Sequence, residues 1–152
     1  MPLSGKLVCE FDINVAAEMF YKMFKKESFH LPTISPKFIK QVEVHGGDWD
    51  SHGHGSIKIW NYITPDGEAG VLKEQVEFND EKLMVTKIGL EGDVLNYYKT
   101  IKFIYKVVPK DQKLSLIILT IEYEKLNHSS PYPYKYMDTI IGLTKDIESH
   151  LK

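Results

Sequence analysis

The feature that most constrains this chain is a long series of strand-like segments followed by a single long amphipathic helix. Alternation of apolar and polar residues runs from about Ile39 to Lys125, and a helical pattern spans Pro133 to Lys152. A curled sheet needs a layer packed on its inner face, and one helix covers only part of that face. We therefore expect a cavity in the uncovered part. Candidates to line it are aromatic: Trp60, Tyr62, Phe103, Tyr105, Tyr132 and Tyr136.

Short connections separate the predicted strands, which indicates antiparallel neighbours. Turns containing glycine, Pro-Asp or Asn-Asp lie between the segments, and a parallel pair would need a much longer crossover. Segment 114–124 is almost continuously apolar, so it should lie inside the sheet or be covered on both faces. The predicted strands are 7–13, 39–45, 55–63, 69–78, 82–90, 97–108 and 114–124.

Two short helices are predicted between the first and second strands. Asn14 is expected to cap the first helix, and Pro32 and Pro36 limit the length of the second. Helical spacing gives the first helix one apolar face: Met19, Phe20, Met23 and Phe24. It also gives the C-terminal helix one apolar face: Tyr136, Ile140, Leu143, Ile147 and Leu151.

The length and composition fit one globular domain, residues 1–152. A chain of 152 residues that is 43% hydrophobic can bury a core without disulfides or metals. The single cysteine, Cys9, excludes an intrachain disulfide, and we expect it to be buried in the core. There is no apolar stretch suited to a secretory signal or a membrane span, so we expect a cytoplasmic protein.

The basic residues argue against nucleic-acid binding. All 19 are lysine, the formal net charge is −2, and no segment carries a dense lysine cluster. Arginine supplies the bidentate contacts typical of specific nucleic-acid recognition, and clustered cations supply non-specific affinity. We therefore expect no nucleic-acid partner.

Six short motifs occur in an order typical of one plant family. They are Gly47-Asp48-Trp49, Ile59-Trp60-Asn61-Tyr62, Lys73-Glu74, Glu91-Gly92-Asp93, Tyr98-Lys99 and Glu122-Tyr123-Glu124-Lys125-Leu126-Asn127. Together they resemble the plant major latex protein family, which belongs to the birch-pollen-allergen superfamily with its START-like, helix-grip fold. The resemblance runs the whole length of the chain.

The resemblance implies an α+β fold and a binding function. The expected fold is a curved seven-stranded antiparallel sheet wrapped around the long C-terminal helix, with two short helices after the first strand. Members of the family look like carriers of sterols, flavonoids, cytokinins, lipids or alkaloids, and some are tied to defence and stress responses. We therefore expect a carrier that sequesters a hydrophobic small molecule in an internal cavity and needs no cofactor.

Two other functions stay open within the same resemblance. A few relatives are enzymes of plant alkaloid metabolism, so an isomerase or lyase acting on a bound aromatic guest is the alternative to carriage. A ligand-dependent protein partner, as for the hormone receptors of the superfamily, is a weaker third hypothesis. We expect a monomer or a weak dimer.

Strand alternation and the resemblance together select the residues expected to contact a ligand. On one strand they place Trp60 and Tyr62 on the inner face, rather than Ile59 and Asn61. The alternative for each aromatic residue is ordinary core packing. The full expected set is Trp60, Tyr62, Val71, Val85, Lys87, Ile101, Phe103, Tyr105, Tyr132, Tyr136, Thr139, Ile140 and Leu143.

Lys87 is the unusual member of this set. Matching the family's hairpin places it on the same face as Val85, where an apolar residue is usual. If it points inward, burial would lower the pKa of its amine, which could then act as a base or bind an acidic head group. We favour the alternative, in which a local bulge turns it outward into water, because lysines are seldom buried without a partner.

The resemblance also allows the catalytic residues of one enzymatic relative to be compared with the matching positions of this chain. An enzymatic relative condenses an amine with an aldehyde, using a Tyr, Glu, Lys and Asp set inside the cavity. The matching positions fall near Val71, Lys73, Val85 and Phe103, so the set is expected to be missing. An isomerase or lyase would have to use other residues, such as Tyr62, Lys87 or His30.

The glycine-bearing segment 45–56 is expected to be a flexible hairpin connection. It lacks the Gly-Lys-Ser/Thr ending of a nucleotide-binding P-loop. Its histidines, His45, His52 and His54, lack a firmly spaced carboxylate or cysteine partner, so we expect solvated side chains and no metal.

Overall fold

A single antiparallel sheet and three α-helices form the fold over residues 3–47 and 54–152, the part of the chain that the computed structural model describes. The seven strands follow the order β1-β7-β6-β5-β4-β3-β2 across the sheet. The strands are β1 (Ser4–Ile13), β2 (Ile39–His45), β3 (Ile57–Ile63), β4 (Ala69–Asn79), β5 (Met84–Gly92), β6 (Tyr98–Asp111) and β7 (Leu114–Lys125). The helices are α1 (Ala17–Lys25), α2 (Leu31–Ile34) and α3 (Tyr134–Leu151).

This architecture confirms the predicted fold class and the antiparallel pairing of strands joined by short connections. Each hairpin pairs consecutive strands, and β1 closes the order by pairing with β7, so every pair is antiparallel. The apolar strand β7 lies between β1 and β6, as its composition predicted. Leu116 and Ile118 on its outer face are only half-buried, so the second face is not fully covered. Cys9 on β1 is likewise half-buried and packs against the core rather than within it.

The C-terminal helix α3 packs across the inner face of the sheet, and the two short helices hold it there. Tyr136, Ile140, Leu143 and Ile147 are buried as predicted, while Leu151 is half-buried. The Phe38 ring lies so close to Gly142 of α3 that any side chain at residue 142 would overlap it. None of the helices in the described part of the chain combines the length and apolarity needed to cross a bilayer.

The start of α1 differs from the prediction. Ala16 occupies the N-cap position and no side chain caps the helix; the Asn14 backbone N–H instead donates to the Glu148 carboxylate at 2.7 Å. Met19 is 47% exposed because the core-facing stripe of α1 runs through Ala17, Phe20 and Phe24, and Met19 falls beside it.

Candidate functional site

A cavity lies between the inner face of the sheet and α3. Counted as space for the centres of water molecules, its volume is about 70 Å³. Of the expected ligand-contacting residues, those that line it are Trp60, Tyr62, Lys87, Phe103, Tyr105, Tyr136, Thr139, Ile140 and Leu143. Their contact with a ligand stays a prediction, but the structure brings them together around one space.

Four further residues line the same cavity and were not expected from the sequence: Ile39, Leu72, Glu74 and Val94. The alternation of Leu72, Glu74 and Val76 on β4 contained a signal for two of them, because all three are buried. Val94 lies in a short 3₁₀ turn, Asp93–Asn96, where no strand or helix period indicates which side chain faces inward.

Four expected residues lie elsewhere: Val71, Val85, Ile101 and Tyr132. Val71 is 42% exposed on the outer face, since its neighbour Leu72 pairs with Trp60 and shares the inner face with it. Val85 and Ile101 are buried in the core but are not among the residues that line the cavity. Tyr132 is 50% exposed in the loop before α3, where the Lys125 ammonium lies 3.6 Å from its ring centre.

Aromatic rings join α3 to the sheet beside the cavity. The Tyr136 ring of α3 meets the edges of Tyr62 and Tyr98, with ring centres 6.3 and 6.4 Å apart. Tyr62 lies across Gly70, where any side chain would overlap its ring. Tyr98 also donates a hydrogen bond from its hydroxyl to the Pro131 carbonyl at 2.6 Å. These contacts fix the start of α3 over β3 and β6.

Lys87 is buried, contrary to the expected outward orientation. It is only 5% exposed, and its strand neighbours Val76 and Phe103 share the inner face with it. The sheet does contain a bulge on β5, but the bulge falls at Leu90 and leaves the orientation of Lys87 unchanged.

The buried amine has the partner that the sequence did not reveal. Its Nζ lies 3.6 Å from Oε1 of Glu74, whose side chain is also almost fully buried. Three rings surround the same Nζ, with centres 4.1 Å away for Trp60, 4.6 Å for Phe24 and 5.1 Å for Tyr105. Ring faces stabilise a cation through their quadrupoles, so the site offers Lys87 both a counter-ion and an aromatic cage.

Burial dominates the electrostatics of this pair. It raises the pKa of the Glu74 carboxyl, against the opposing charges of Lys87 and Lys58, and lowers the pKa of the Lys87 amine, against the charge of Glu74. Lys58 lies directly opposite Glu74 on β3, and burial together with the Lys87 charge lowers its pKa to about 8. Three ionisable groups therefore share one desolvated region.

Two buried polar atoms at this pair make no hydrogen bond with any described residue: the Trp60 indole N–H and Glu74 Oε1. The indole lies close enough to the Glu74 carboxylate to favour its charged form, yet without hydrogen-bond geometry. Most buried polar groups in proteins have a hydrogen-bond partner. The unpaired atoms therefore mark this part of the cavity as unusual.

The positions matched to the enzymatic relative, Val71, Lys73, Val85 and Phe103, do not supply its Tyr, Glu, Lys and Asp set, but the cavity does contain a carboxylate and an amine. The matched positions Val71 and Lys73 lie one residue away from the inward-facing residues of β4, and Val85 lies two residues before Lys87. Strand alternation brings Glu74 and Lys87 inside instead. An acid and a base are therefore available in the cavity, at positions other than those matched to the enzymatic relative.

None of the histidines in the described part of the chain is among the residues that line the cavity. His30 is exposed in the turn Ser28–His30, with its ring centre 4.1 Å from that of Phe29. The Phe78 backbone N–H donates to His54 Nδ1 at 3.1 Å. His52, and most of the Gly47-Asp48-Trp49 motif, lie outside the described residues. Within the described ranges, no three metal-ligating side chains come together.

Comparison with known proteins gives consistent matches over the whole chain. The sequence model of the pathogenesis-related protein Bet v 1 family matches residues 2–152. MLP-like protein 328 of Arabidopsis thaliana is 37% identical over 151 residues, which cover 99% of this chain and 98% of that protein. The crystal structure of major latex-like protein 151 from Panax ginseng has a TM-score of 0.90 at 35% identity and covers 98% of both chains.

A more distant structural neighbour is an enzyme. Norcoclaurine synthase from Thalictrum flavum has a TM-score of 0.78, covers 98% of this chain and 87% of its own, and is 17% identical. At that identity the likeness concerns the fold alone.

Proposed function

Since this chain belongs to the pathogenesis-related protein Bet v 1 family, and within it to the major latex proteins, we propose that it binds a hydrophobic small molecule in the cavity between its sheet and α3. The protein would act as a carrier or a buffer of that molecule. Neither role requires a catalytic residue.

The observation that carries this proposal is an interior cavity whose lining is almost entirely aromatic and aliphatic. Apart from Glu74, Lys87 and Thr139, every lining residue presents a ring or a hydrocarbon side chain. The Thr139 hydroxyl donates to the Lys135 carbonyl within its own helix, so it offers a guest little polarity. Concave apolar sites with a few convergent polar groups are the usual form of small-molecule sites.

The volume of the cavity limits the guest. A water molecule needs about 10–15 Å³ of this measure, so about 70 Å³ holds roughly five waters. This space suits a flat guest of one or two rings. A four-ring sterol would require α3 to move away from the sheet, so we propose the smaller aromatic class as the natural guest.

Blocking the cavity tests this function. We expect saturating 2-naphthol to raise the melting temperature of the wild-type protein by about 8 °C at 100 times its Kd, because a ligand that binds only the native state stabilises it. Thr139→Trp fills the cavity and should abolish the shift. Asp138→Trp adds the same ring to the exposed face of α3 and should preserve it.

The same experiment compares other classes of ligand. The shifts in melting temperature caused by a flavonoid, a sterol, a fatty acid and an alkaloid rank these classes by how strongly they stabilise the protein. Absence of any shift throughout the panel, or equal shifts in the Thr139→Trp variant, would remove the main support for carriage.

Catalysis is the second candidate, and the buried Glu74–Lys87 pair is the observation that favours it. Burial raises the pKa of Glu74 and lowers the pKa of Lys87, so both move in the direction of neutral pH. Shifts of this kind prepare side chains for proton transfer in enzymes. The proposed reaction is an isomerisation or elimination on a bound aromatic guest, with one group taking a proton and the other supplying one. Turnover that persists unchanged in Lys87→Met would refute this assignment.

We also propose a role in plant defence or stress response, in the cytoplasm, on the strength of family membership alone. Plants lacking the gene should respond abnormally to pathogen challenge or drought. A fluorescently tagged protein found in the secretory pathway would contradict the location.

A further inference from the structure

We propose that Trp60, Glu74 and Lys87 form a hydroxyl-binding subsite, so that the guest of the cavity is a neutral phenol or alcohol. The inference rests on the proposed function, because it names the chemistry of the guest that the same cavity would hold. It also assigns a specific role to polar atoms that the fold leaves unpaired.

Beside the Glu74–Lys87 pair, two buried polar atoms have no hydrogen-bond partner among the described residues. The Trp60 N–H has no acceptor and Glu74 Oε1 has no donor among the described residues. The Lys87 Nζ lies 3.6 Å from the same Glu74 oxygen, which is beyond hydrogen-bonding distance. Two donors and one acceptor therefore surround a single region of the cavity without satisfying one another.

A hydroxyl group matches that combination of donors and acceptor. Its oxygen accepts from the Trp60 N–H or the Lys87 ammonium, while its own hydrogen is donated to Glu74. A bound hydroxyl would provide hydrogen-bond partners for buried polar atoms that otherwise destabilise the fold.

Charged head groups fit less well. A carboxylate on the guest would accept from Lys87 but would also approach the Glu74 carboxylate, and a guest ammonium would approach Lys87 and the nearby Lys58. A methyl ether accepts but cannot donate to Glu74. A hydrocarbon can neither donate nor accept a hydrogen bond, so it would leave the Trp60 N–H and Glu74 Oε1 buried without partners.

The rest of the cavity accommodates the body of such a guest. The rings of Trp60 and Tyr105 lie beside Lys87, and Ile140 and Leu143 of α3 also line the cavity. A flat aromatic alcohol can therefore place its hydroxyl at the Glu74–Lys87 pair while its rings contact apolar side chains.

Calorimetric titration with a matched series of naphthalenes tests the subsite. We expect 2-naphthol to bind the wild-type protein roughly tenfold more tightly than naphthalene or 2-methoxynaphthalene, and more tightly than 2-naphthoate, since hydrogen bonds to charged partners have that strength. Equal affinities across the neutral compounds would overturn the subsite while leaving the proposed function standing. Tighter binding of 2-naphthoate would overturn it in favour of an anion site.

A failure of the proposed function would give a different result in these titrations. If none of the four compounds, nor any member of the wider ligand panel, binds, the proposed function fails and the subsite fails with it. If a water molecule permanently satisfies the three side chains, 2-naphthol and naphthalene should bind equally, which also counts against the subsite.

Two variants assign the preference to these residues. Trp60→Phe keeps an aromatic ring but removes the indole N–H, and Glu74→Gln removes the negative charge; each should reduce the preference for 2-naphthol over naphthalene to less than about threefold. Glu77→Gln makes the same exchange on the exposed face of β4 and should leave the preference intact. A full preference in folded Trp60→Phe and Glu74→Gln proteins would contradict the assignment, and the wild-type series decides the question even if either variant fails to fold.

Discussion

Lys87 is stabilised in the interior by groups that other parts of the chain supply. Glu74 provides the opposite charge from the neighbouring strand, and Phe24 and Trp60 contribute rings from α1 and β3. Moving two charges out of water is unfavourable, and their mutual attraction offsets that penalty only while both are present. The pair should therefore behave as a unit.

We expect Lys87→Met to destabilise the protein by about 3 kcal/mol at pH 8, because it leaves the Glu74 carboxylate buried without its counter-ion. The loss should shrink toward pH 5. Burial already raises the pKa of Glu74, and removing Lys87 raises it further. A group with a raised native-state pKa contributes stability below its unfolded pKa and loses that contribution as the pH rises. Urea unfolding at the two pH values measures the difference.

The double variant Glu74→Leu/Lys87→Met provides the complementary measurement. Removing both charges should bring stability back to within about 1 kcal/mol of the wild type. Lys102→Met, an exposed lysine on β6, serves as the control and should change little. Additive losses in the double variant would show that the two residues are not energetically coupled.

The sequence predicted the orientation of some side chains in the cavity and missed that of others. Strand alternation and the family resemblance together placed Trp60 and Tyr62 toward the interior, where the structure also has them, and the resemblance put Lys87 on the face of Val85. The orientation of Lys87 was misjudged because its partner, Glu74, belongs to another strand, and pairing across strands depends on register. The inward face of Glu74 was nevertheless visible in its alternation with Leu72 and Val76.

Among the elements, α3 depends on contacts from the strands beneath it. Tyr98 of β6 links the sheet to the segment before α3 through its hydrogen bond to the Pro131 carbonyl, and its ring meets Tyr123 and Tyr136. Burial raises the pKa of the Tyr98 phenol. The docking of α3 should therefore weaken under alkaline conditions.

Tyr98→Phe tests this link. We expect the variant to be about 1 kcal/mol less stable than the wild type at pH 8, through loss of one hydrogen bond. Above pH 10 the gap should narrow, because the wild-type phenol ionises in the unfolded state first and the variant has no such group. Chemical unfolding at pH 8 and pH 10.5 gives the comparison. Tyr97→Phe alters an exposed neighbour, and a similar narrowing there would contradict the role of Tyr98.

The elements themselves were predictable where their signals are local. Turn residues and alternation located all seven strands within a few residues, and helical spacing located α3. The start of α1 was not predictable, because the Asn14 N–H bonds to Glu148, which lies 134 residues further along the chain. No local pattern contains such a contact.

For the whole molecule, the excess of strands over helices leads to an interior that α3 fills incompletely. The family match supports the same architecture over the whole chain. The volume of the remaining cavity was not predictable, because it depends on how side chains from β3, β4, β6 and α3 meet. Tyr62 and Tyr136, for example, narrow the space through a contact between two distant elements.

Isotope-filtered nuclear Overhauser spectroscopy of the 2-naphthol complex can locate a small aromatic guest inside this cavity. We expect contacts between the naphthol protons and the methyl groups of Ile39, Ile140 and Leu143, all of which line the cavity. Contacts confined to exposed methyl groups, such as those of Val8, Val71 and Leu90, would contradict it.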